Sequence, residues 1–407
     1  MKLSTVTRRV VLAGAAGLLA APACAAEPAH DVSFAQDFDE LWTTLRDRYC
    51  FFADKRTDWG KVRALYRPQA IAAESVDAFA ELVRRVLVEL YDAHTHLAEP
   101  ADGAPRWPLY DLLAERVGGM VTIAAVKPDS AAGLAGVRGG DRVLAVDDRP
   151  IEEIVRTLSP RCLTRPDPAA DTYVINAAVA GRTGMPRRMT VQTGSDTPRR
   201  LDLPLRRAPQ PPNVESRRLD GGHGYIAIHS FADSAVVEAF DLALASLRDA
   251  PGLIIDVRGN GGGDTAVAKP IMGRFITAAR PYARMRRREG ATLSQPWTET
   301  VEPRGPFTYA GPVVVLADHW SGSMAEGFPM GMRDIGRARI VGTRMMGLGA
   351  AVFALRLDRT GVQAQYSGEP VYDTQDRPRW LLRPDVEVPE GGDILAVGIA
   401  DLAAQRA

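Results

Sequence analysis

The 407-residue chain contains only three cysteines, and its 50 basic residues are balanced by 50 acidic ones. Without net charge there is no electrostatic case for nucleic-acid binding, because such a partner requires a basic surface. Cys50 and Cys162 could pair in an oxidising compartment, but the sequence does not bring them together, so we expect both to be structural residues, with Cys50 buried in its apolar setting. Beyond the N-terminus, no apolar run is long enough to cross a bilayer. A hydrophobic fraction of 46% is typical of a globular protein, and the length predicts two or three domains.

Residues 1–26 are predicted to be an export signal. The twin arginine Arg8-Arg9 precedes an apolar stretch of small residues from Val10 to Ala21, and small residues around Cys24 offer cleavage positions. The pattern favours a bacterial twin-arginine signal, and therefore a periplasmic or secreted protein. Lipidation of Cys24 is an alternative. The stretch is too short to be read as a membrane anchor.

Three regions with different residue patterns follow the signal. Residues 27–103 are predicted to be a helical module, because apolar residues recur every three or four positions from Phe34 to Tyr49 and again from Ser75 to Leu90. Residues 104–206 contain short β-rich runs. Residues 207–407 alternate strands with helices, which predicts an α/β core with a mainly parallel sheet.

Two strand-to-helix turns in the last region carry residues that indicate chemistry. We call them the glycine loop (residues 256–263, Asp-Val-Arg-Gly-Asn-Gly-Gly-Gly) and the serine turn (residues 321–326, Ser-Gly-Ser-Met-Ala-Glu). Such turns expose backbone N–H groups at a helix N-terminus, where they can stabilise a developing oxyanion. Ser323 is the candidate nucleophile, although alone it would be read as an ordinary helix N-cap. The candidate oxyanion donors are the N–H groups of Gly261, Gly262 and Met324.

A phosphate cradle is a weaker interpretation of the glycine loop. No Gly-Lys-Ser or Gly-Lys-Thr sequence follows the glycines. The pairing of the loop with a serine-bearing turn on a neighbouring strand favours acyl transfer instead.

These two motifs, together with Asp334-Ile-Gly-Arg-Ala-Arg-Ile-Val-Gly342 and a PDZ-like stretch at 128–141, resemble the C-terminal-processing (tail-specific) serine proteases. The resemblance implies a crotonase-like core of ββα units, a PDZ-like domain at 104–206 and attack by Ser323 on a peptide bond. It also implies polypeptide substrates, offered by their C-termini through the PDZ-like domain, and no metal or organic cofactor.

One departure from that family concerns the base. The main branch has a lysine twenty-five residues after the serine, but that position is Leu348 here, and the last lysine of the chain is Lys269. The N-terminal module, with its ending Asp92-Ala-His-Thr-His96, resembles instead the tricorn-like branch, which takes its base from this turn. The resemblance therefore implies that His94 activates Ser323, since a serine hydroxyl needs a general base near neutral pH.

The acid that would orient the imidazole is less well defined. The tricorn-like branch has a glutamate shortly before the motif that is Pro384-Asp385 here, and this chain has none at that place. Asp376 is the candidate, with Asp373 and Glu369 as alternatives.

Two further acids are expected to support the site. Asp334 matches an aspartate of the lysine branch, and Glu326 is a first-turn acid favoured by the helix dipole. A metal site at His94 and His96 is a weaker alternative, because the sequence shows no clustered partners for them.

A non-catalytic protein that binds peptides or lipophiles on the same fold is the competing prediction. The lysine is missing, the auxiliary serine of the tricorn-like branch is Ala93, and no glutamate takes the acid position. A degenerate site would show these losses. Labelling by a fluorophosphonate, which reacts with activated serines, separates the two functions.

Overall fold

The structure is a computed structural model that describes residues 31–105, 111–205 and 211–405. The predicted export signal and Cys24 lie outside these ranges, so both stay predictions.

Within the described ranges, none of the helices combines the length and the apolar character that a membrane crossing requires.

The N-terminal module consists of three helices and a short strand, with one apolar core between them. Its elements are α1 (Asp31–Arg48), α2 (Trp59–Ile71), α3 (Val76–Val88) and β1 (His96–Leu97). Helix α3 begins after Ser75, whose hydroxyl accepts the N–H of Ala78 at 3.1 Å. Helices α1 and α3 were predicted from the apolar periodicity, whereas α2 was not, and it buries Trp59, Val62 and Tyr66 in the same core.

The middle region is a mixed unit with its own core. Its elements are β2 (Leu112–Val117), β3 (Met120–Val126), α4 (Ala131–Leu134), β4 (Arg142–Val146), β5 (Arg149–Pro150), α5 (Ile151–Leu158), α6 (Pro168–Ala180), β6 (Arg187–Gln192) and β7 (Arg199–Leu203). The strands form an antiparallel sheet in the order β2-β3-β4-β6-β7, and α5 and α6 bury apolar residues against it. Its assignment as PDZ-like stays a prediction.

The third region contains the parallel sheet that the alternation predicted. Its elements are β8 (Val214–Arg218), β9 (Gly224–Ile228), α7 (Ala235–Ser246), β10 (Leu253–Asp256), α8 (Thr265–Met272), β11 (Arg280–Met285), β12 (Arg288–Glu289), β13 (Thr292–Leu293), β14 (Trp297–Val301), β15 (Val313–Ala317), α9 (Met324–Asp334), β16 (Arg339–Gly342), β17 (Ala350–Arg356), β18 (Gln363–Tyr372), β19 (Val386–Glu387) and α10 (Ile394–Ala404). The strand order is β19-β16-β15-β10-β9-β8, parallel except where β8 meets β9. Strands β9, β10 and β15 are buried at every position, because helices cover both faces of the sheet.

A second sheet joins this core to the N-terminal module. Strand β18 pairs with β17 along its length, with β11 at its C-terminal end and with β1 at its N-terminal end. Strands β17 and β18 form a hairpin, and its residues Leu355, Leu357 and Tyr366 pack into the apolar core of the N-terminal helices. The turn after α3 is therefore anchored to the region that carries the glycine loop and the serine turn.

Glu89 provides a test of how the N-terminal module is held to the middle region. Its buried carboxylate accepts the hydroxyl of Tyr66 at 2.7 Å and the N–H groups of Arg161 and Cys162, both at 2.9 Å. We predict that Glu89→Ala lowers the free energy of unfolding by about 2–4 kcal/mol, because it strands these donors without partners. Chemical denaturation at pH 7 measures this. Glu81→Ala, which removes an exposed partner of Arg84, is expected to cost less than about 0.5 kcal/mol, and equal effects would contradict the assignment.

Candidate active site

The parallel sheet brings the glycine loop and the serine turn to the same edge. Strands β10 and β15 are parallel neighbours, with Ile255 beside Val315 and Asp256 beside Leu316. The two turns follow these strands at their carboxyl ends, which is the usual place for a site in an open α/β sheet.

Hydrogen bonds fix the two turns to each other. The Gly322 N–H donates to the carbonyl oxygen of Asn260 at 2.9 Å, and the Ser321 hydroxyl donates to the carbonyl oxygen of Val257 at 2.8 Å. The Asn260 side chain is fully buried and donates from Nδ2 to the carbonyl oxygen of Ile228 at 2.9 Å. Since these bonds join the ends of β9, β10 and β15, the two turns form one rigid unit.

Ser323 occupies a sharp turn at the start of α9. Its φ of 55° and ψ of −115° are unusual for a residue with a side chain. Such strain costs about 1–3 kcal/mol and is found where a nucleophile is presented at the end of a strand. The glycine loop approaches closely: a Cβ built on Gly262 would lie 2.7 Å from the Cβ of Ser323. Only glycine fits beside this serine.

The structure corrects one of the three predicted oxyanion donors. The N–H of Gly262 donates to Oδ1 of Asn260 at 2.8 Å, so it is used inside the glycine loop. The N–H groups of Gly261 and Met324 donate no hydrogen bond to any described residue. Gly261 adjoins Gly262, whose added Cβ would meet Ser323, and Met324 directly follows Ser323. These two N–H groups are therefore the candidate donors for an oxyanion.

Glu326 is a buried carboxylate that holds the serine turn. It lies in the first turn of α9, as expected, and accepts the N–H groups of Ser323 at 3.0 Å, Gly347 at 2.5 Å and Leu348 at 2.8 Å. Burial raises the pKa of Glu326 to about 7, against the opposing effects of Arg379 and of the three N–H donors. A single acid thus joins the serine turn to residues 347 and 348.

Position 348, where the main branch of the family has its lysine, does lie beside the serine turn. The Leu348 side chain would lie 3.2 Å from a Cβ built on Gly322. A leucine cannot take up a proton. Lys269 forms an ion pair with Glu299 at 3.1 Å, so the last lysine of the chain is bound elsewhere.

His94 lies in the turn between α3 and β1, which β18 holds in place. The backbone N–H of His94 donates to Oδ1 of Asp92 at 2.9 Å, and the backbone carbonyl oxygen of His94 accepts from the side chain of Gln365 at 3.0 Å. Asp92 also accepts the hydroxyl of Ser367 at 2.7 Å. In the β17–β18 hairpin Ser367 pairs with Val352, and Val352 lines the cleft that contains Ser323. The histidine turn is thus attached to the wall of the cleft, although His94 does not itself line it.

Burial keeps the imidazole of His94 neutral. It lowers the pKa of His94 to about 4, although the charge of Asp92 acts in the opposite direction. Nδ1 is buried and makes no hydrogen bond to any described residue. A neutral imidazole with an unused nitrogen can accept a proton.

The predicted acid, Asp376, does not contact His94. The carboxylate of Asp376 forms ion pairs with Arg286 at 2.5 Å and with Arg284 at 3.6 Å. Asp376 lies in a turn and has a backbone φ of 65°. The carboxylate that belongs to the histidine turn is Asp92. The sequence shows Asp92 only as part of the motif, because its side-chain bond to the backbone N–H of His94 has no separate sequence signal.

The other predicted acids are also engaged elsewhere. Glu369 pairs with Arg287 at 3.2 Å, and Asp373 pairs with Arg377 at 2.5 Å. Asp334 accepts a backbone N–H from the turn after β18 at 2.6 Å, and therefore supports that turn.

The cleft at Ser323 has a volume of about 480 Å³ and mostly apolar walls. Strands β11, β17 and β18 and helix α9 supply the apolar lining, which includes Met285, Met330, Val352 and Val371. The buried arginine Arg379 also lines it, and the sequence analysis did not single out this residue. The shape and the lining suit an extended chain with apolar side chains.

Gly262 provides a direct test of the close approach between the two turns. We predict that Gly262→Ala slows reaction of Ser323 with a fluorophosphonate by at least about 100-fold, because the added methyl displaces Ser323 and the Met324 N–H. Gly140→Ala is the matched control: its φ of 87° is equally positive, but a Cβ there meets no atom within 4 Å. Equal labelling of the two variants would contradict the geometry.

Glu326 predicts an unusual dependence of stability on pH. Its folded pKa of about 7 lies above the 4.5 of an exposed glutamate, so the folded state holds its proton to higher pH than the unfolded state. The resulting stabilisation is present below pH 4.5 and is lost as the pH rises through 7, a change of about 3 kcal/mol. Unfolding of the wild type and of Glu326→Gln across pH 4.5 to 8 measures it. A constant difference between the two proteins would disprove the shift.

Comparisons with known proteins agree with this architecture. Residues 222–388 match the family model of peptidase family S41, and residues 30–87 match that of the tricorn protease C1 domain. The structure of mature CPAF superposes with a TM-score of 0.61 at 16% identity, and the match covers 91% of this chain and 95% of that one. This likeness confirms the α/β fold expected from the sequence.

Two curated relatives are similar to this chain, one a carboxy-terminal processing protease and the other a putative tricorn protease homolog. The carboxy-terminal processing protease CtpB of Bacillus subtilis is 30% identical over 177 residues, which is 42% of this chain and 35% of CtpB. Putative tricorn protease homolog 2 of Streptomyces coelicolor is 28% identical over 335 residues, which is 77% of this chain and 26% of that protein. The chain thus spans about a third or less of the length of these relatives. On these motifs, matches and shared fold, residues 222–388 are similar to peptidase family S41, a family of serine peptidases, and the N-terminal module is similar to the tricorn protease C1 domain.

Proposed function

We propose that the chain is a serine endopeptidase that cleaves polypeptides through an acyl-enzyme. The observation that carries this proposal is the strained Ser323 in close contact with the glycine loop, together with the N–H groups of Gly261 and Met324, which have no acceptor among the described residues. A nucleophile beside preorganised donors is the arrangement that acyl transfer requires.

The steps use groups of this chain alone. The Ser323 hydroxyl attacks the scissile carbonyl while His94 takes its proton, and the N–H groups of Gly261 and Met324 bind the oxyanion. The imidazolium then gives this proton to the leaving amine, and an ester to Ser323 remains. Water attacks the ester while His94 takes a proton from it and returns that proton to the Ser323 oxygen, and the second product leaves with a free carboxylate.

Asp92 is the acid that best fits the role of partner to His94. It fixes the turn through the backbone N–H of His94 and the Ser367 hydroxyl, and its charge favours the imidazolium that forms during the reaction. It replaces Asp376 in this proposal, because Asp376 is paired with arginines.

The setting of the activity is proposed from the sequence. Residues 1–26 resemble a twin-arginine export signal, so we propose that the substrates are exported or envelope polypeptides, met in the periplasm or outside the cell. A C-terminal segment of the substrate would bind through the PDZ-like region, residues 104–206.

Two substitutions test the nucleophile and the base. Ser323→Ala is expected to abolish fluorophosphonate labelling and casein hydrolysis. His94→Ala is expected to lower kcat/KM by about 10²–10⁴-fold, because general-base catalysis by histidine is of that size.

His96→Gln, in the same turn, is the control and is expected to lower kcat/KM far less. Full activity in His94→Ala would remove the base assignment. An unlabelled but folded wild-type protein would favour the competing function, a binding protein without catalysis.

A further inference from the structure

Arg379 is a buried charge without a carboxylate partner. Only 6% of the residue is exposed, and one terminal nitrogen donates to the carbonyl oxygens of Leu348 at 2.6 Å and Ala350 at 3.2 Å. Its Nε is buried and makes no hydrogen bond to any described residue. The guanidinium therefore retains donor capacity after it has bound the loop.

The other buried arginines of the described ranges are paired. Arg187 contacts Asp111 at 2.5 Å, and Arg274 contacts Asp241 at 2.5 Å. Buried charges are normally paired, because an unpaired charge in a low-dielectric site is costly. Arg379 departs from this pattern, and it does so in the wall of the cleft that contains Ser323.

Glu326 does not fill the place of that partner. Its oxygens accept backbone N–H groups from Ser323, Gly347 and Leu348, and no hydrogen bond or ion pair joins it to Arg379 within the described ranges. The two charges attract each other only at longer range, and burial still lowers the pKa of Arg379. An anion that entered the cleft would find a cation between apolar walls.

We propose that Arg379 is a subsite for a carboxylate of the peptide bound beside Ser323. The inference rests on the proposed peptidase function and adds a preference within it. A guanidinium suits this role, since its planar N–H groups match the two oxygens of a carboxylate. The carboxylate comes either from the C-terminus of the peptide or from an acidic side chain, and the experiment distinguishes these two sources.

Binding to the inactive Ser323→Ala protein measures the preference without catalysis. The first probe pair is the peptide Ala-Ala-Leu-Ala-Ala with a free C-terminus and with a C-terminal amide. The second pair is Ala-Ala-Leu-Glu-Ala-amide and Ala-Ala-Leu-Gln-Ala-amide. Because a charge-assisted hydrogen bond of this kind corresponds to about a 10- to 100-fold change in affinity, we expect at least one charged peptide to bind about tenfold more tightly than its neutral partner.

Preference within the first pair identifies the terminal carboxylate, and preference within the second identifies an acidic side chain. Adding Arg379→Gln is expected to abolish the preference, which is measured as the ratio of the affinities for the charged and neutral peptides of each pair. Arg379→Lys keeps the charge and is expected to retain part of the preference. Arg377→Gln is the matched control, because Arg377 lies in the same segment but is exposed and paired with Asp373.

Equal binding of charged and neutral peptides to the Ser323→Ala protein would overturn the proposal, even if Arg379→Gln failed to fold. So would a preference that survives in Arg379→Gln. Fluorophosphonate labelling of the wild type reports the peptidase function separately, so a labelled protein without a carboxylate preference would reject the subsite alone.

Discussion

The close contact between the glycine loop and the serine turn is the constraint on which the site depends. A Cβ on Gly262 would lie 2.7 Å from the Cβ of Ser323 and 2.9 Å from the N–H nitrogen of Met324. The backbones can approach this closely because the glycine loop has no side chain there and because Asn260 bonds to both turns. The same approach brings the glycine loop to Met324, and the N–H groups of Gly261 and Met324 keep no acceptor among the described residues, so both are available to the charge that would develop in acyl transfer.

Buried charges organise the surroundings of this contact at a cost in stability. The Glu326 carboxylate gathers three backbone N–H groups, and Arg379 binds two carbonyl oxygens of the neighbouring segment. Between them they hold residues 347–350 against Ser323, where the main branch of the family has its lysine and this chain has Leu348. Leu348 supplies packing but no base, so in this account the proton acceptor comes from the N-terminal module, through the turn that β18 anchors.

The sequence predicted the elements whose signal is local. Continuous apolar runs identified β9, β10 and β15, because strands buried on both faces need no alternation. Ser75 identified the start of α3 through its capping role. Helix α2 was missed, since its apolar residues are fewer and Pro68 interrupts the pattern. The β17–β18 hairpin was missed because β17 exposes Val352 and Phe353, so its sequence lacks a clear buried face.

Ser323 and the glycine loop could be predicted from motifs. The roles of Asn260, Asp92 and Arg379 could not be predicted from the sequence. Asn260 and Asp92 act through contacts with residues that are distant in the chain, and Arg379 is notable because it lacks a carboxylate partner among the described residues.

A crystal structure of the protein after reaction with a fluorophosphonate would show whether Ser323, His94 and the two N–H groups meet at one point. We expect a phosphonyl group on Ser323, with its oxygen within hydrogen-bond distance of the N–H groups of Gly261 and Met324 and with an imidazole nitrogen of His94 close to the serine oxygen. An adduct on another residue, or an imidazole of His94 more than about 10 Å from the serine oxygen, beyond any hydrogen bond or single bridging water, would contradict it.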